Sequence, residues 1–285
     1  LVWFSLQRLN DAYVALDHLR EALALDSGHE PSIALLESMM AQDEHRGDAA
    51  EILEPVFLSR MDWPKVTSTL EARISSTDAP EDKKPLLAKL GQIHEDYLED
   101  LEGALAVYIR LFQSDPADRG SWETLARLSR ILESHDAVAA AYGGVIERGG
   151  VVDEDTAALG RMAGRLYDDK LGDAEHATGI WTKVLEFEPT DREAFEALER
   201  GYGKLERHDA LLDLFRRRVD YADSDEEPDN FVPATTVEPE TAARRAKVDP
   251  SVAANSLAEV TVSRKAFQAV HAASAEDRRH GRRAP

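Results

Sequence analysis

The densest cluster of potential metal ligands in this chain of 285 residues is the tripeptide His94-Glu95-Asp96. An imidazole beside two carboxylates is a donor set that a zinc ion can use. The equivalent tripeptide 73 residues later reads Tyr167-Asp168-Asp169, which loses the ring nitrogen but keeps an aromatic body suited to packing. No His-Glu-x-x-His pattern occurs in the sequence. We therefore interpret His94 as a structural residue and predict no metal site.

Acid–base and nucleophilic catalysis are not indicated by the residue spacing. Asp and Glu are abundant, and we attribute them to solvated helix faces, because no lone acid is expected inside an apolar run. The absence of cysteine excludes thiolate nucleophiles and disulfides. The glycines of Gly201-Tyr202-Gly203 and Gly143-Gly144 match no phosphate-binding motif, and Gly201 and Gly203 are expected to permit close packing. The sequence predicts a protein that is not an enzyme and that uses no cofactor or small-molecule substrate.

A repeated pattern of charged residues is the candidate for a binding function. The residues are Arg119, Glu123 and Arg127, and again Arg192, Glu196 and Arg200. Their i, i+4, i+8 spacing places each set on one side of a helix, where alternating charges could hold a carboxylate or the backbone of a bound peptide. Alternatively, each set satisfies its own charges and supports its helix by about 0.3 kcal/mol per pair. Both interpretations stay open.

The elements that carry these residues arise from an internal duplication. Residues 86–127 align without a gap on residues 159–200, with large residues on large and small on small. Gly91 aligns with Gly164, and Tyr108 aligns with Trp181. We place the two copies at about 81–149 and 154–222. Repetition at a fixed interval is the signature of helical arrays, in which each unit packs on its neighbours.

Helical periodicity recurs along residues 1–222, with Gly, Pro and Asp at the junctions. We predict helices over 1–8, 10–26, 30–43, 47–60, 63–76, 81–97, 100–114, 118–132, 135–149, 154–170, 173–187, 191–204 and 207–222. Pro55 is expected to kink or shorten its helix, whereas Pro85 is tolerable in a first turn. The carboxylates expected to cap helix N-termini are Asp48, Asp136, Asp173 and Asp209.

Within each copy the spacing resembles the tetratricopeptide repeat family, in its bacterial style. One unit reads Ala104, Tyr108, Leu111, Pro116, and its copy reads Ala177, Trp181, Val184, Pro189. The resemblance covers residues 1–222 and implies an all-α fold: a right-handed α-α superhelix of antiparallel helix pairs. It also implies that the first helix of each pair lines a concave groove that holds a peptide or a partner helix. The Lys and Asn clamp of the family's chaperone-tail receptors is not found.

The four tryptophans fall on repeat positions, and Trp122 and Trp181 occupy core positions of the pattern. We predict that they pack in the core; the alternative is a ligand-stacking group.

The charge of the chain constrains its partners. The formal net charge is −21. Residues 222–285 hold eleven acidic and nine basic residues, so the first 221 residues carry −19. A field of this sign repels phosphate backbones, so nucleic-acid binding is not expected, and a protein or peptide of basic character is the better partner. The alternative is that the charge serves solubility only.

No stretch approaches the apolar length of a membrane span, so no membrane insertion is expected. The chain begins in an apparently helical sequence without Met, which suggests a fragment or a processed product and leaves a signal peptide undecided. The compartment stays open, with the cytoplasm slightly favoured.

The repeat pattern stops at the acidic run after Ala222. Residues 223–285 are predicted to be an acidic linker followed by a mostly disordered tail, with a basic end. Either the array ends there or the reading frame has been altered, and the sequence leaves both open.

These observations predict an interaction scaffold that binds a protein partner in a groove. The alternative is a repeat segment of a larger regulatory, secretion or envelope protein whose active domain lies elsewhere.

Overall fold

The computed structural model describes residues 12–223 of the chain. The predicted helix over 1–8 and the predicted tail beyond Asp223 lie outside the described residues. Within 12–223 the chain forms α-helices, one 3₁₀ turn and one π-helical segment, and no β-strand occurs in that range. The predicted all-α class is therefore confirmed, whereas the superhelical arrangement stays a prediction.

Twelve α-helices follow one another in the described range. They are α1 (Ala12–Leu25), α2 (Glu30–Met40), α3 (Arg46–Ser59), α4 (Trp63–Ser76), α5 (Pro80–Asp96), α6 (Leu101–Ser114), α7 (Arg119–Leu132), α8 (His135–Glu147), α9 (Asp153–Arg165), α10 (Ala174–Phe187), α11 (Arg192–Lys204) and α12 (His208–Asp223). A 3₁₀ turn, Asp43–His45, precedes α3, and the π-helical segment Leu166–Leu171 continues α9.

The fold divides between Ala141 and Tyr142 into two compact units. In the first unit each of the helices α2 to α7 packs on the helix before it, and in the second unit each of the helices α10 to α12 packs on the helix before it. The first core contains buried leucine, isoleucine and valine side chains from α1 to α6. The second contains Trp181, Phe195, Leu198 and Phe215, each less than one-tenth exposed. Burial of such apolar area is the main stabilising contribution to each unit.

Close helix contacts depend on glycine opposite an aromatic ring. A Cβ atom on Gly91 would lie 2.8 Å from the Tyr108 ring, and one on Gly164 would lie 2.4 Å from Trp181 Cε2. Both distances are shorter than van der Waals contact, so only glycine lets α5 approach α6, and α9 approach α10, this closely. Gly201 is similar, because its Cβ would lie 2.4 Å from Thr178 Cγ2, as expected from the sequence. The same expectation is wrong for Gly203, where a Cβ would meet nothing within 4 Å.

Aspartate side chains cap the N-termini of α4, α6, α7, α10 and α11. Asp173 accepts a hydrogen bond from the His176 amide, as predicted, whereas Asp48 lies within the first turn of α3 and makes no such cap. Asp136 and Asp209 also lie in first turns, where a carboxylate interacts favourably with the helix dipole. Four further caps were not predicted: Asp62, Asp100, Asp118 and Asp191.

Helix ends repeat at the 73-residue interval as well. Glu99 and Gly172 both have positive φ, at 53° and 66°. The next amide in each case, that of Asp100 or Asp173, donates to the carbonyl six residues earlier at 2.9 Å. This closure has the geometry of a left-handed C-terminal cap at both junctions.

The expectation that Pro55 shortens its helix is wrong, and so is the expectation that Pro85 lies in a first turn. Helix α3 runs through Pro55 to Ser59, so the proline does not shorten it. Pro85 is the sixth residue of α5, beyond its first turn, because that helix begins at Pro80. Packing of the buried faces of these helices outweighs the loss of one backbone hydrogen bond in each.

Candidate functional site

The six charged residues predicted as a partner-binding surface lie on two helices. Arg119, Glu123 and Arg127 lie on α7 in the first unit, and Arg192, Glu196 and Arg200 lie on α11 in the second. The opposite face of each helix is buried. The buried residues are Trp122 and Leu125 on α7, and Phe195 and Leu198 on α11. The local sequence therefore presents the charged side chains away from the core.

In the first unit, Arg127 contacts a carboxylate of an earlier helix. Its guanidinium lies 2.7 Å from Glu95 Oε1 and donates to Glu95 Oε2 at 2.9 Å, a bidentate pair between α7 and α5. The hydrogen bond that Arg127 donates to Glu95 raises the pKa of Arg127. The guanidinium of Arg119 lies 5.6 Å from the Trp122 ring centroid, and Glu123 is exposed. Arg127 thus connects α7 to α5. In the predicted pairing, α5, α7, α9 and α11 are the first helices of their pairs, and α6, α8, α10 and α12 are the second helices.

In the second unit, Arg192 and Glu196 form the expected i, i+4 ion pair at 2.7 Å, and Arg192 lowers the pKa of Glu196. Arg200 instead donates to Asp168 at 2.9 Å, and Lys204 lies 3.3 Å from the same carboxylate. The Asp168 side chain is only 7% exposed, so the two cations neutralise a nearly buried acid. The predicted set therefore includes one pair within α11 and one connection to the π-helical segment.

The Arg127–Glu95 and Arg200–Asp168 contacts are equivalent under the 73-residue alignment. Each joins residues 32 apart, one near the C-terminal end of a first helix and one on the next first helix. The acidic partners were not predicted, because they lie on other elements and not at the i, i+4 spacing of one helix. The alignment could have revealed them, since an acid and an arginine keep the same separation in both copies.

Further ion pairs extend this charged surface of the second unit, and none was predicted. Arg161 on α9 lies 2.7 Å from Glu188 and 2.6 Å from Asp191, and these two acids raise its pKa. One turn later, Arg165 donates to both carboxylate oxygens of Glu193 at 2.6 Å. Bidentate guanidinium–carboxylate pairs fix geometry well, so they orient α11 against α9.

A buried carboxylate in the first unit contradicts the expectation that the acids are solvated. Glu54, within an apolar run of α3, is 6% exposed. It accepts a hydrogen bond from Lys89 at 2.6 Å and another from Arg73. Burial raises the pKa of Glu54, but the hydrogen bonds and charges of Lys89 and Arg73 lower it by more, and the net pKa is below the ordinary value. Glu54 therefore joins α3 to α4 and α5 as a carboxylate.

His94 and Glu95 of the His94-Glu95-Asp96 cluster contact different partners. His94 Nδ1 lies 2.9 Å from Asp100 Oδ2, whereas Glu95 contacts Arg127. In the second copy the Tyr167 ring stacks on His176 with centroids 5.3 Å apart. Within residues 12–223, no three His, Asp or Glu side chains are grouped so as to hold a metal ion.

The tryptophan prediction is confirmed for Trp122 and Trp181, which are 4% and 1% exposed. Trp63 is half-buried and stacks on Tyr97 with ring centroids 3.9 Å apart, and Trp3 lies outside the described residues. Among the described helices, none has the length and apolar character needed to cross a membrane.

Comparisons with known proteins do not identify a family for this chain. No protein-family model matches the chain, and no curated protein matches its sequence. Among solved structures, the chain is similar to a structure described as "Crystal structure of BtubC (BKLC) from P. vanneervenii", at 14% sequence identity. The match covers 81% of this chain and 98% of that chain, with a TM-score of 0.29. A likeness at this TM-score carries no conclusion about this chain.

Proposed function

We propose that this chain is a non-enzymatic scaffold for protein–protein interaction, built as a right-handed tetratricopeptide-like superhelix that binds a partner peptide or helix in its concave groove. One observation carries the proposal, which is that the same packing contact recurs, Gly91 against Tyr108 and Gly164 against Trp181. Helical repeats bury their cores only against neighbouring repeats, and the extended surface that results is what such proteins use for binding.

The first helix α7 in the first unit and the first helix α11 in the second unit each supply a surface that we assign to a partner. Arg119 and Glu123 are exposed, and the Arg192 and Glu196 side chains are 82% and 49% exposed. Arg127 and Arg200 are bound to carboxylates but remain about half exposed, so each keeps donor groups on the surface. Guanidinium and carboxylate groups in alternation suit a polar main chain or a charged side-chain row.

Charge favours a basic partner. Residues 1–221 carry a net charge of −19, and a field of this strength accelerates the approach of cations and opposes nucleic acid. The proposal assigns no catalytic step, because the sequence offers no nucleophile with a recognisable base and no phosphate-binding motif.

Charge exchange between Glu95 and Arg127 tests the proposal. A partner recovered with tagged protein from the source cells is titrated against wild type, Arg127→Glu, and the exchanged double variant Arg127→Glu, Glu95→Arg. The double variant restores the ion pair between α5 and α7 but presents its charges in reverse order. We expect both variants to lose at least about tenfold in affinity, which corresponds to about 1.4 kcal/mol.

Two controls accompany the titration. Thermal unfolding reports whether the exchanged pair has restored stability, and Arg110→Glu changes the net charge equally at a second-helix pair with Glu71. Full recovery of affinity in the double variant would show that Arg127 acts only in packing. Equal losses for Arg110→Glu and Arg127→Glu would likewise contradict a first-helix site.

A further inference from the structure

A stacked aromatic pair lies at the surface of the first unit. Trp63, the first residue of α4, stacks on Tyr97, which directly follows α5, with an angle of 19° between the two ring planes. Trp63 packs against the first core, whereas Tyr97 is 55% exposed. Because Trp63 covers one face of the Tyr97 ring, the opposite face of that ring is turned to solvent.

The junction that carries Tyr97 forms without an aromatic residue in the second copy. Under the 73-residue alignment, Tyr97 corresponds to Lys170, which is exposed. Both junctions nevertheless close alike, since the amide of Asp100 or Asp173 donates to the carbonyl six residues earlier at 2.9 Å. The turn therefore does not require an aromatic ring at position 97, which favours a role for that ring at the surface.

Two carboxylates flank the Tyr97 ring along the chain. Asp96 and Glu99 are both exposed, and neither forms an ion pair within residues 12–223. Asp100 differs, because it already binds His94 and a backbone amide. An aromatic face carries negative partial charge, so an open face with unpaired carboxylates next to it in the chain attracts a cation. The net charge of −19 on residues 1–221 acts in the same direction.

Among the cations that a protein partner can present, the guanidinium group of arginine fits this surface best. It is planar and weakly hydrated, so it can stack on an aromatic face, and its N–H groups can donate to carboxylates at the same time. The ammonium group of lysine is strongly hydrated and has no flat face to stack. The chemistry of the surface therefore selects a basic peptide that presents arginine.

We propose that the exposed face of Tyr97 is a binding site for an arginine side chain of a basic peptide, with Asp96 and Glu99 as the carboxylates that accept its N–H groups. Trp63 holds the tyrosine ring in place, so little side-chain freedom is lost when the arginine binds. None of the six charged residues on α7 and α11 belongs to this site. Its failure would leave the proposed function standing, and the failure of the proposed function would leave this site standing.

An NMR titration of the full chain with a capped Gly-Arg-Gly-Arg-Gly peptide tests the site. The indole N–H signal of Trp63, assigned with a Trp63→Phe variant, reports binding at the stack. We expect it to shift in a saturable way, and the signals of Trp122 and Trp181 to stay in place because those residues are buried. A peptide with lysine in place of arginine should bind more weakly. Equal binding of the two peptides, or a stronger response to a leucine peptide, would overturn the proposal.

A second exposed tyrosine of the same unit supplies a matched control. Tyr13 is 67% exposed and meets the His45 ring edge-on, with centroids 5.9 Å apart. Tyr97→Leu should weaken binding of the arginine peptide by about threefold or more, because the cation–π contact is lost. Tyr97→Phe, which keeps the ring, and Tyr13→Leu should both bind as wild type does. Equal affinities of Tyr97→Leu and Tyr13→Leu would contradict the site.

A matched pair of charge variants separates a local site from the general field of the chain. Asp96→Asn with Glu99→Gln removes two negative charges beside the ring, and Asp78→Asn with Glu51→Gln removes the same two types of exposed acid elsewhere in the unit. The first variant should lower the affinity for the arginine peptide more than the second does. Equal losses would show that only the net charge attracts the peptide, which would overturn the proposal. Thermal unfolding verifies that each variant is folded.

Discussion

Single glycines decide how closely the helices of each unit pack. Trp181 is 1% exposed and cannot move away from α9, whereas Tyr108, in the equivalent place against Gly91, is half-buried. A methyl group at Gly164 must therefore displace a fixed indole, and one at Gly91 meets a ring with some freedom. The same aligned position has different tolerance because the neighbour differs.

Gly164→Ala should destabilise the protein by about 1–3 kcal/mol through overpacking against Trp181. Gly179 provides the control, because a Cβ there meets nothing within 4 Å and the residue is exposed within α10. Gly179→Ala should stabilise by about 0.5–1 kcal/mol through the higher helix propensity of alanine. Urea denaturation of the three proteins measures both effects, and similar free energies for the two variants would contradict the packing account.

Glu54 shows a second residue-scale effect, a carboxylate kept ionised in the core by two cations. Glu54→Gln should destabilise at pH 7 by about 1–3 kcal/mol, since Arg73 and Lys89 lose their counter-charge. The control is Glu71→Gln, in which an exposed acid paired with Arg110 is removed at a cost of about 0–1 kcal/mol.

The pH dependence of the Glu54 effect has a definite sign. The folded-state pKa of Glu54 is lowered, so its contribution is present above the unfolded-state pKa of about 4.3 and is lost as pH falls through the folded-state value. The difference in unfolding free energy between wild type and Glu54→Gln should therefore shrink between pH 5 and pH 3. A difference that stays constant or grows on acidification would exclude an ionised Glu54.

At the scale of elements, helix ends are set by local residues and could be predicted from the sequence. Apolar periodicity and Asp, Gly and Pro at the junctions predicted most boundaries in the described range to within a few residues. The ion pairs could not be predicted this way. Arg127 and Glu95 are 32 residues apart, and Glu54 is buried only because α4 and α5 bring Arg73 and Lys89 to it.

The aligned junctions at Glu99 and Gly172 give an element-scale prediction. Both residues have a left-handed backbone conformation, which costs a non-glycine residue roughly 1 kcal/mol. Glu99→Gly should therefore stabilise the protein by about 0.5–1 kcal/mol, and Gly172→Ala should destabilise it by a similar amount. Thermal unfolding measures the two changes. Shifts in the same direction would show that backbone conformation does not govern these junctions.

At the scale of the whole molecule, the all-helical class followed from the repeat pattern, because each helix carries its own periodicity. The identity of the partner did not follow from the pattern, because a binding site is formed by residues that share a surface and need not share a sequence spacing. The six charged residues lie on first helices, and the two arginines that the alignment makes equivalent, Arg127 and Arg200, also hold those helices to earlier elements. The structural role of these two arginines therefore overlaps with the binding role that we propose for them.

Site-specific photo-crosslinking in the source cells tests the scaffold most directly. A photoreactive amino acid replaces Glu123 or Glu196 on the first helices, or Ala106 or Gly179, which are aligned and exposed on the second helices. We predict that a partner protein is crosslinked from Glu123 and Glu196 and not from Ala106 and Gly179. Equal crosslinking from both faces, or none from the first helices, would contradict the account.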